Sequence, residues 1–287
     1  MEKSDQSINK GYHQALLLAK SHYENFPVIS LLVKKELRKD VAIIYWFART
    51  ADDIADEGEL SAEKRLEKLS RFEKKLSDSL SGFYPDEFWA ALHNTIIEKN
   101  ISPQNLFNLL KAFKQDVTKN RFINFEEILE YCSNSANPVG RIILELHDIR
   151  TDSVFNLSDK VCTALQLTNF YQDVKIDLKK NRIYIPLDEL KKYQIEENSL
   201  AKSEINPNFV QLMKFQVERN RQIYREGEEI IKYLSGRLKY QIKWTILGGM
   251  AILSKIEDIK YNVIKKRPVH KKSEYAMLML KALFTKI

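Results

Sequence analysis

Asp52 and Asp56 are four residues apart and follow the apolar stretch VAIIYWFA. On a helix this spacing places both carboxylates on one face, in line with Tyr45 and Arg49. Like charges beside an apolar surface repel each other and resist desolvation, a cost that a divalent cation relieves. Short side chains with oxygen ligands suit Mg²⁺. Tyr45, Arg49, Asp52 and Asp56, called the first stripe below, are therefore a candidate magnesium site.

The general alternative for an acidic pair at this spacing is solvated surface. Glu63 and Glu67 illustrate it, because basic residues surround them in the sequence. The first stripe differs, since Arg49 is the only basic residue between Asp40 and Lys64. This shortage of positive charge favours a bound cation.

A second stripe consists of Gln166, Asn169, Asp173 and Asp177, at spacings of three, four and four residues. Its neighbours in the sequence are largely apolar, and a polar stripe on such a helix is costly unless polar groups face it. The first stripe is the natural partner. Two facing helices of this kind would hold several Mg²⁺ ions, which complete their coordination with water and phosphate oxygens. The implied ligand is a diphosphate.

The apolar residues around both stripes predict a largely apolar substrate. The reaction would then be metal-assisted departure of diphosphate from a hydrocarbon, which leaves a carbocation. The sequence lacks a Gly-rich phosphate loop, so an ordinary P-loop kinase or nucleotide enzyme is disfavoured. Together these features predict isoprenoid chemistry.

Helices are the elements that must position both stripes. Apolar residues recur at helical spacing along nearly the whole chain, and its eight Gly and seven Pro are few for a hairpin-rich fold. The sequence therefore predicts an all-α protein with one domain over residues 1–287. The predicted helices span about 9–25, 30–57, 61–80, 86–99, 103–119, 124–147, 159–180, 207–233, 235–266 and 270–286. Ser102, Ser158 and Asn206 are predicted N-caps, and the irregular segment 181–206 is predicted to be a functional connection or lid.

Composition narrows the partners and the compartment. The net charge of +7 is spread along the chain, which gives no reason to predict a nucleic acid partner. The two cysteines, Cys132 and Cys162, are too few for a disulfide scaffold or a zinc site and fit a reducing cytoplasm. The first residues lack the apolar run of a signal peptide, and no window is apolar enough to span a membrane. We expect a cytoplasmic protein whose contact with a membrane would be peripheral, at the inner face.

The basic run within 265–272 has two interpretations. Its lysines and its arginine could touch an anionic membrane that stores an apolar product. A cationic helix end is also common on an ordinary solvated surface.

Both stripes resemble the aspartate-rich motifs of the squalene and phytoene synthase family. The first motif reads DDIAD at 52–56, the second reads DVKID at 173–177, and a family-like NRIYIP follows at 181–186. The resemblance extends from SHYENFP at 21–27 to DIKYNVIKKRP at 258–268. It implies the isoprenoid-synthase helical bundle, with a central active-site cavity and an enzyme that acts on prenyl diphosphates.

The resemblance also implies roles for individual residues. The Mg²⁺ ligands would be Asp52, Asp56, Asn169, Asp173 and Asp177, which hold two or three ions together with the diphosphate. The catalytic set would be Asp52, Asp56, Asp173, Asp177, Tyr45 and Arg49. The substrate contacts would be His22, Tyr23, Glu24, Asn25, Tyr45, Arg49, Gln166 and Gln172. For His22 a capping or packing role is the alternative.

Three departures from the family bear on the substrate. Gln172 stands where many members have arginine, and Gly249 stands where head-to-head synthases commonly have tyrosine. A Gly-containing VAG stretch of the family is replaced by SANPVG at 135–140. Loss of a bidentate phosphate donor at position 172 should weaken the binding or activation of one diphosphate. An enzyme that handles a single diphosphate would tolerate this change.

The combination of SHYENFPV, ARTADDIADEG, YCSNSANPVGR and LTNFYQDV is most similar to the hydroxysqualene synthase branch of bacterial hopanoid biosynthesis. That branch ionises presqualene diphosphate and lets water quench the rearranged cation, so no NADPH is expected. It also implies a functional pairing with a presqualene diphosphate synthase. The alternative is a head-to-head synthase that forms presqualene diphosphate, squalene, dehydrosqualene or phytoene from two prenyl diphosphates.

Overall fold

The computed structural model describes residues 2–21, 33–200 and 206–284. The predicted substrate contacts His22, Tyr23, Glu24 and Asn25 lie outside these ranges. Within the ranges the chain is helical and has no strand, apart from one isolated parallel bridge between Arg121 and Ile183. The predicted all-α fold class is confirmed.

The helices of the described residues are numbered here in chain order. They are α1 Glu2–Ser21, α2 Arg38–Asp56, α3 Ala62–Leu80, α4 Glu87–Glu98, α5 Pro103–Thr118, α6 Phe125–Ser135, α7 Asn137–Leu146, α8 Asp152–Lys179, α9 Leu187–Lys192, α10 Glu197–Leu200, α11 Pro207–Glu228, α12 Gly236–Asp258 and α13 Lys272–Phe284. Short 3₁₀ turns, Lys35–Leu37 and Glu229–Lys232, precede α2 and follow α11. No helix in this part of the chain is long and apolar enough to cross a membrane.

Several predicted helix boundaries are correct. Asn206 caps α11, since its side chain accepts a hydrogen bond of 2.9 Å from the backbone N–H of Asn208. Helix α5 begins at Pro103, directly after Ser102. Both starts use a proline at the first helical position, where the missing N–H would have no partner within the helix.

Other predicted boundaries are wrong. The helix predicted for 124–147 is two helices, α6 and α7, because Pro138 has no N–H to donate and its ring blocks a continuous helix. Helix α8 begins at Asp152, so Ser158 is buried inside it and is not an N-cap. Helix α12 ends at Asp258 rather than near 266, and Lys260 soon after it has a positive φ of 53° that does not fit a helix.

Contacts along the chain divide it into two compact units. Unit 1 comprises Met1–Thr118 and Pro138–Thr151, and unit 2 comprises Lys119–Asn137 and Asp152–Ile287. The first stripe belongs to unit 1 and the second stripe to unit 2. The chain passes between the units three times, so neither unit is a continuous segment. One domain over the whole chain stays a prediction.

The core of unit 1 holds α2 in place. Trp46 and Phe47 are buried on α2, where the Trp46 ring stacks on Phe88 with centroids 4.6 Å apart and meets Trp89 edge-on at 5.4 Å. Such aromatic pairs contribute beyond the area they bury. Helix α2 also packs against α1, α3 and α5. This packing fixes the rotation of α2 and therefore the direction of its acidic stripe.

In unit 2, α8 packs against α6, α11 and α12. Gly227 of α11 lies close to α8, because a Cβ there would be only 2.9 Å from the backbone nitrogen of Val161. In the described part of the predicted connection or lid, Ile183 and Leu187 donate backbone hydrogen bonds to Asn120 and Phe122 at 3.0 and 2.9 Å, and the functional role of the segment stays a prediction. These bonds hold the NRIYIP segment against another part of unit 2.

A buried acid joins three helices of unit 1. Asp40 of α2 is fully buried, and its Oδ1 accepts a 2.9 Å hydrogen bond from Thr95 of α4. Thr95 in turn accepts one of 2.8 Å from Tyr12 of α1. Asp40 Oδ2 has no hydrogen-bond partner in the described chain. Burial raises the pKa of the Asp40 carboxyl, against the lowering effects of the Thr95 hydrogen bond and of Lys39.

We expect Asp40→Asn to remove the part of the pH dependence of the free energy of unfolding that comes from the Asp40 carboxyl. A raised folded-state pKa contributes stability that is fully present below the unfolded pKa and is lost as pH rises through the folded one. The free energy of unfolding of the wild type should therefore fall relative to that of Asp40→Asn as pH rises from about 4, near the unfolded-state pKa of an aspartate, through the raised folded-state pKa. Urea unfolding at several pH values measures this difference. Asp78→Asn, at a partly exposed site on α3, is the control, and parallel curves for the wild type and Asp40→Asn would contradict the prediction.

Candidate active site

The structure places Tyr45, Arg49, Asp52 and Asp56 on α2, as the spacing predicts. All four side chains are half-buried. Ala51 and Ala55, each directly before an aspartate of the stripe, are buried and face the core of unit 1. The carboxylates of Asp52 and Asp56 thus stand on a solvent-accessible side of a packed helix. Their position suits metal ligands that must also reach water and a substrate.

Arg49 neutralises part of this acidic region. It lies 3.3 Å from Asp52, 2.7 Å from Asp53 and 2.6 Å from Glu57. Burial alone would lower the pKa of Arg49, but these three carboxylates outweigh it and raise the pKa. By its spacing Arg49 is a member of the first stripe. In the structure its guanidinium also binds acids that lie off that stripe.

Arg65, one of the basic residues around Glu63 and Glu67, has a specific position in the structure. Its guanidinium donates to four backbone carbonyls at the end of α2, those of Ile54, Glu57, Gly58 and Leu60, at 3.0, 3.0, 2.7 and 3.2 Å. Cations are favourable at helix C-termini, where carbonyls lack partners within the helix. Arg65 therefore fixes the turn that directly follows Asp56. No sequence pattern predicts this role of Arg65, because all four hydrogen-bond partners of its guanidinium are backbone carbonyls.

An apolar cavity of about 270 Å³ opens beside the first stripe within unit 1. Helices α2, α5 and α7 line it mostly with aliphatic and aromatic side chains, among them Ile44, Leu109, Phe113 and Ile143. Its polar lining consists of residues of the first stripe, Tyr45, Arg49 and Asp52. A cavity with apolar walls and a few polar groups in its lining suits a ligand with a hydrocarbon body and a charged head.

The second stripe lies on α8, as predicted, with different exposures along its length. Asn169 is exposed, Gln166, Asp173 and Asp177 are half-buried, and Gln172 beside them is buried. All four side chains of the stripe carry oxygen atoms, and Asn169, Asp173 and Asp177 stand at successive turns of one helix. Gln172 lies off this stripe, and its Nε2 donates to the backbone carbonyl of Pro268.

Arg267 is the residue of this region that sequence reasoning missed as a site residue. Its guanidinium binds Asp173 through two hydrogen bonds, Nε to Oδ1 and Nη2 to Oδ2, the second at 3.1 Å. The hydrogen bond to Asp173 raises the pKa of Arg267, and Asp177 adds to this effect. The sequence separation of 94 residues explains the omission. The basic run at 265–272 is the feature of the sequence that could have drawn attention to this position. The structure shows that its arginine, Arg267, binds Asp173.

Aromatic rings pack on the opposite side of α8 from solvent. Phe170 stacks on Tyr184 with centroids 3.8 Å apart, and Tyr131 lies 6.0 Å from Phe170. Phe122 completes the cluster at 5.5 Å from Tyr131. The stacking ties the NRIYIP segment to α8 close to the second stripe. Phe122, Tyr131 and Phe170 are buried core residues of unit 2, and Tyr184 is half-buried.

Gly249 has a neighbour that explains why it carries no side chain. A Cβ at position 249 would be 1.9 Å from Oη of Tyr224 and 2.6 Å from its Cζ. Tyr224 is fully buried, and its hydroxyl is 3.0 Å from Oγ1 of Thr168 on α8. The Tyr224 ring on α11 thus occupies the space that a side chain at 249 would need.

The donor atoms of the two stripes fit Mg²⁺ in kind. Carboxylate and amide oxygens are its preferred protein ligands, and it retains waters and phosphate oxygens besides them. No group of three His, Cys, Asp or Glu side chains in the described ranges is arranged to hold a metal ion.

A family model described as squalene/phytoene synthase matches residues 19–274. The chain belongs to the squalene/phytoene synthase family. Its members are enzymes of isoprenoid biosynthesis that act on prenyl diphosphates. The match includes both stripes, Arg65, Arg267 and the residues that line the apolar cavity.

Individual members of the squalene/phytoene synthase family differ in their similarity to this chain. It is 39% identical to hydroxysqualene synthase from Zymomonas mobilis over 185 aligned residues. This alignment covers 63% of this chain and 61% of that protein. The chain is 27% identical to the chloroplastic phytoene synthase of an Oncidium hybrid cultivar over 276 aligned residues. This alignment covers 94% of this chain and 67% of that protein. The matched part of the chain thus spans about two thirds of the length of these relatives or less.

Solved structures of family members share the fold. A squalene synthase from Alicyclobacillus acidocaldarius superimposes with a TM-score of 0.84 at 31% identity and covers 89% of this chain and 96% of that one. A dehydrosqualene synthase in complex with a ligand gives a TM-score of 0.85 at 19% identity, a level that concerns the fold alone. The isoprenoid-synthase fold expected from the sequence is confirmed.

Proposed function

We propose that this protein converts presqualene diphosphate and water into hydroxysqualene and diphosphate. The observation that carries the proposal is the environment of Gln172. Its neutral amide donates one of its two N–H groups to Pro268, so position 172 supplies no positive charge to a phosphate and has at most one amide N–H left for it. A site that binds one diphosphate needs fewer phosphate-binding cations than a site that binds two. The 39% identity to a hydroxysqualene synthase supports the same choice.

Residues of the two stripes would bind the charged end of the substrate. We propose Asp52 and Asp56 together with Asn169, Asp173 and Asp177 as ligands of two or three Mg²⁺ ions. Members of the family use a divalent metal with diphosphate substrates. When bound, Mg²⁺ supplies charge stabilisation for the departing diphosphate.

Two arginines of the chain would add to that stabilisation. Arg49 and Arg267 each present a guanidinium at one of the stripes, and a guanidinium can bind phosphate through two parallel hydrogen bonds. Tyr45 lines the apolar cavity beside Arg49, and we propose that it contacts the substrate. Gln166 and residues 22–25 are proposed substrate contacts as well. Each of these roles stays a prediction.

The hydrocarbon end of the substrate would occupy the apolar cavity of unit 1. Its apolar walls would surround the hydrocarbon and keep water away from it, which would protect a carbocation from early quenching. In the reaction the C–O bond to diphosphate breaks, the cyclopropylcarbinyl cation rearranges, and a water oxygen forms the new C–O bond and loses a proton. The reaction consumes no hydride, so NADPH is not required. A presqualene diphosphate synthase would supply the substrate.

The test is a product assay with purified protein, Mg²⁺ and presqualene diphosphate in the absence of NADPH. We expect hydroxysqualene, identified by mass spectrometry, and omission of Mg²⁺ should abolish its formation. Recovery of unchanged presqualene diphosphate in the complete reaction would contradict the proposal.

A second candidate is a head-to-head synthase that joins two prenyl diphosphates. The phytoene synthase match over 94% of the chain and the solved squalene synthase structure favour this class. Incubation with farnesyl or geranylgeranyl diphosphate alone separates the two candidates. Formation of presqualene diphosphate, squalene, dehydrosqualene or phytoene would support the second one.

A further inference from the structure

Helix α13 exposes an apolar surface to solvent. Its exposed apolar side chains, called the α13 face below, are Met277, Leu280, Leu283 and Phe284, exposed by 49, 57, 44 and 82%. Leu278 and Ala282 are buried where α13 packs on α12. At about 100° per residue the α13 face lies opposite these two buried side chains. A helix that packs through one side ordinarily has polar residues on the other.

Positive charge surrounds the α13 face. Lys272 and Lys281 lie at its two edges by helical position, and Lys265, Lys266 and Lys271 precede the helix. Glu274 is the only acidic residue between positions 259 and 284. Lys255 binds it at 2.6 and 2.7 Å, so its charge is paired. The region therefore combines exposed apolar side chains with a net positive charge.

The segment that leads into α13 is fixed to the rest of unit 2. Arg267 binds Asp173, and the carbonyl of Pro268 accepts from Gln172. Nε1 of Trp244 donates to the carbonyl of Tyr275 within α13 at 3.2 Å. These contacts fix the segment before α13 at the second stripe and fix α13 itself on α12.

We propose that the α13 face and its flanking lysines dock the protein on an anionic membrane surface. Apolar side chains on one side of a helix enter the boundary between headgroups and acyl chains, and lysines beside them bind anionic headgroups. The charge of the region selects this partner, since a neutral apolar face would suit a protein surface equally well.

Vesicle flotation with the purified 287-residue chain tests this proposal. We expect the protein to float with vesicles of phosphatidylcholine and phosphatidylglycerol, and to stay unbound with phosphatidylcholine alone. Added salt should weaken the binding because it screens exposed charges. The variant Leu280→Ser with Phe284→Ser should lower the partition coefficient by about tenfold or more, given the apolar area removed. Lys271→Glu with Lys272→Glu should have a similar effect.

Matched controls use exposed residues of unit 1. Phe83→Ser with Ile97→Ser removes two apolar side chains that are 74 and 65% exposed, and Lys64→Glu with Lys68→Glu reverses two exposed charges on α3. Both control variants should bind the anionic vesicles like the wild type. Thermal unfolding should give the same midpoint for all four variants, because every substituted side chain is exposed.

Three results would overturn the proposal. The wild type could fail to float with anionic vesicles, or the α13 variants could float like the wild type. Light scattering could also show a wild-type dimer that Leu280→Ser with Phe284→Ser converts into monomers, without vesicle binding, which would identify the α13 face as an interface between two copies. The flotation assay contains no substrate, so its outcome is independent of the product assay for the proposed function.

Discussion

Asp173→Asn is expected to lower the rate of product formation by at least about a hundredfold, the upper range seen when even an outer partner of a metal ligand is lost. The substitution keeps the size of the side chain and removes its negative charge. The proposed Mg²⁺ ions would lose one anionic ligand, and Arg267 would lose its carboxylate partner. Steady-state assays over a range of Mg²⁺ concentrations measure the effect. The concentration needed for half-maximal rate should rise.

Asp188→Asn is the matched control for this variant. Asp188 is exposed in the first turn of α9, within the same unit, and it belongs to neither stripe. We expect this control to retain the wild-type rate and Mg²⁺ response. Asp52→Asn should behave like Asp173→Asn. If both stripe variants unfolded like the wild type and kept its activity, the catalytic account of the stripes would be wrong.

Gly249→Ala and Gly248→Ala should change stability in opposite directions although the positions are adjacent. The new Cβ at 249 would lie 1.9 Å from Oη of Tyr224, whereas nothing lies within 4 Å of a Cβ at 248. Overpacking of this kind typically costs about 1–3 kcal/mol. Replacement of a helical glycine by alanine in open space typically adds about 0.4–1 kcal/mol of stability. Urea unfolding of the two variants measures both changes.

The double variant Tyr224→Leu with Gly249→Ala tests the cause. A smaller side chain at 224 frees the space of the tyrosine ring, so the alanine at 249 should cost less in this background than in the wild type. Additive effects of the two substitutions would show that the Tyr224 ring is not what excludes a side chain at 249. A Gly249→Ala variant as stable as Gly248→Ala would contradict the packing described here.

The residues that could be predicted from the sequence are those whose relation is local. Asp52 and Asp56 share a helix face because they are four residues apart, and the same geometry places Asp173 and Asp177 on α8. This relation needs only the helical period, which a long apolar pattern makes plain. The predicted N-cap at Asn206 had equally local evidence, since a proline follows it directly.

The residues that could not be predicted act through the tertiary fold. Arg267 reaches Asp173 across 94 positions, and Tyr224 excludes a side chain at Gly249 from another helix. Arg65 binds carbonyl groups, which every residue type possesses and which leave no pattern in a sequence. The error at Ser158 had a different cause, because a good N-cap residue type also occurs inside helices, and buried contacts then override its preference.

The discontinuity of unit 1 sets an order of events during synthesis. Ile142 and Leu146 belong to its buried core, yet the ribosome adds them after the first piece of unit 2, residues 119–137. Domains fold as units when their core residues are available. A nascent chain that ends at Thr118 therefore lacks part of the wall around α2 and α5, and the acidic stripe of α2 gains its final support only after position 146 has left the exit tunnel.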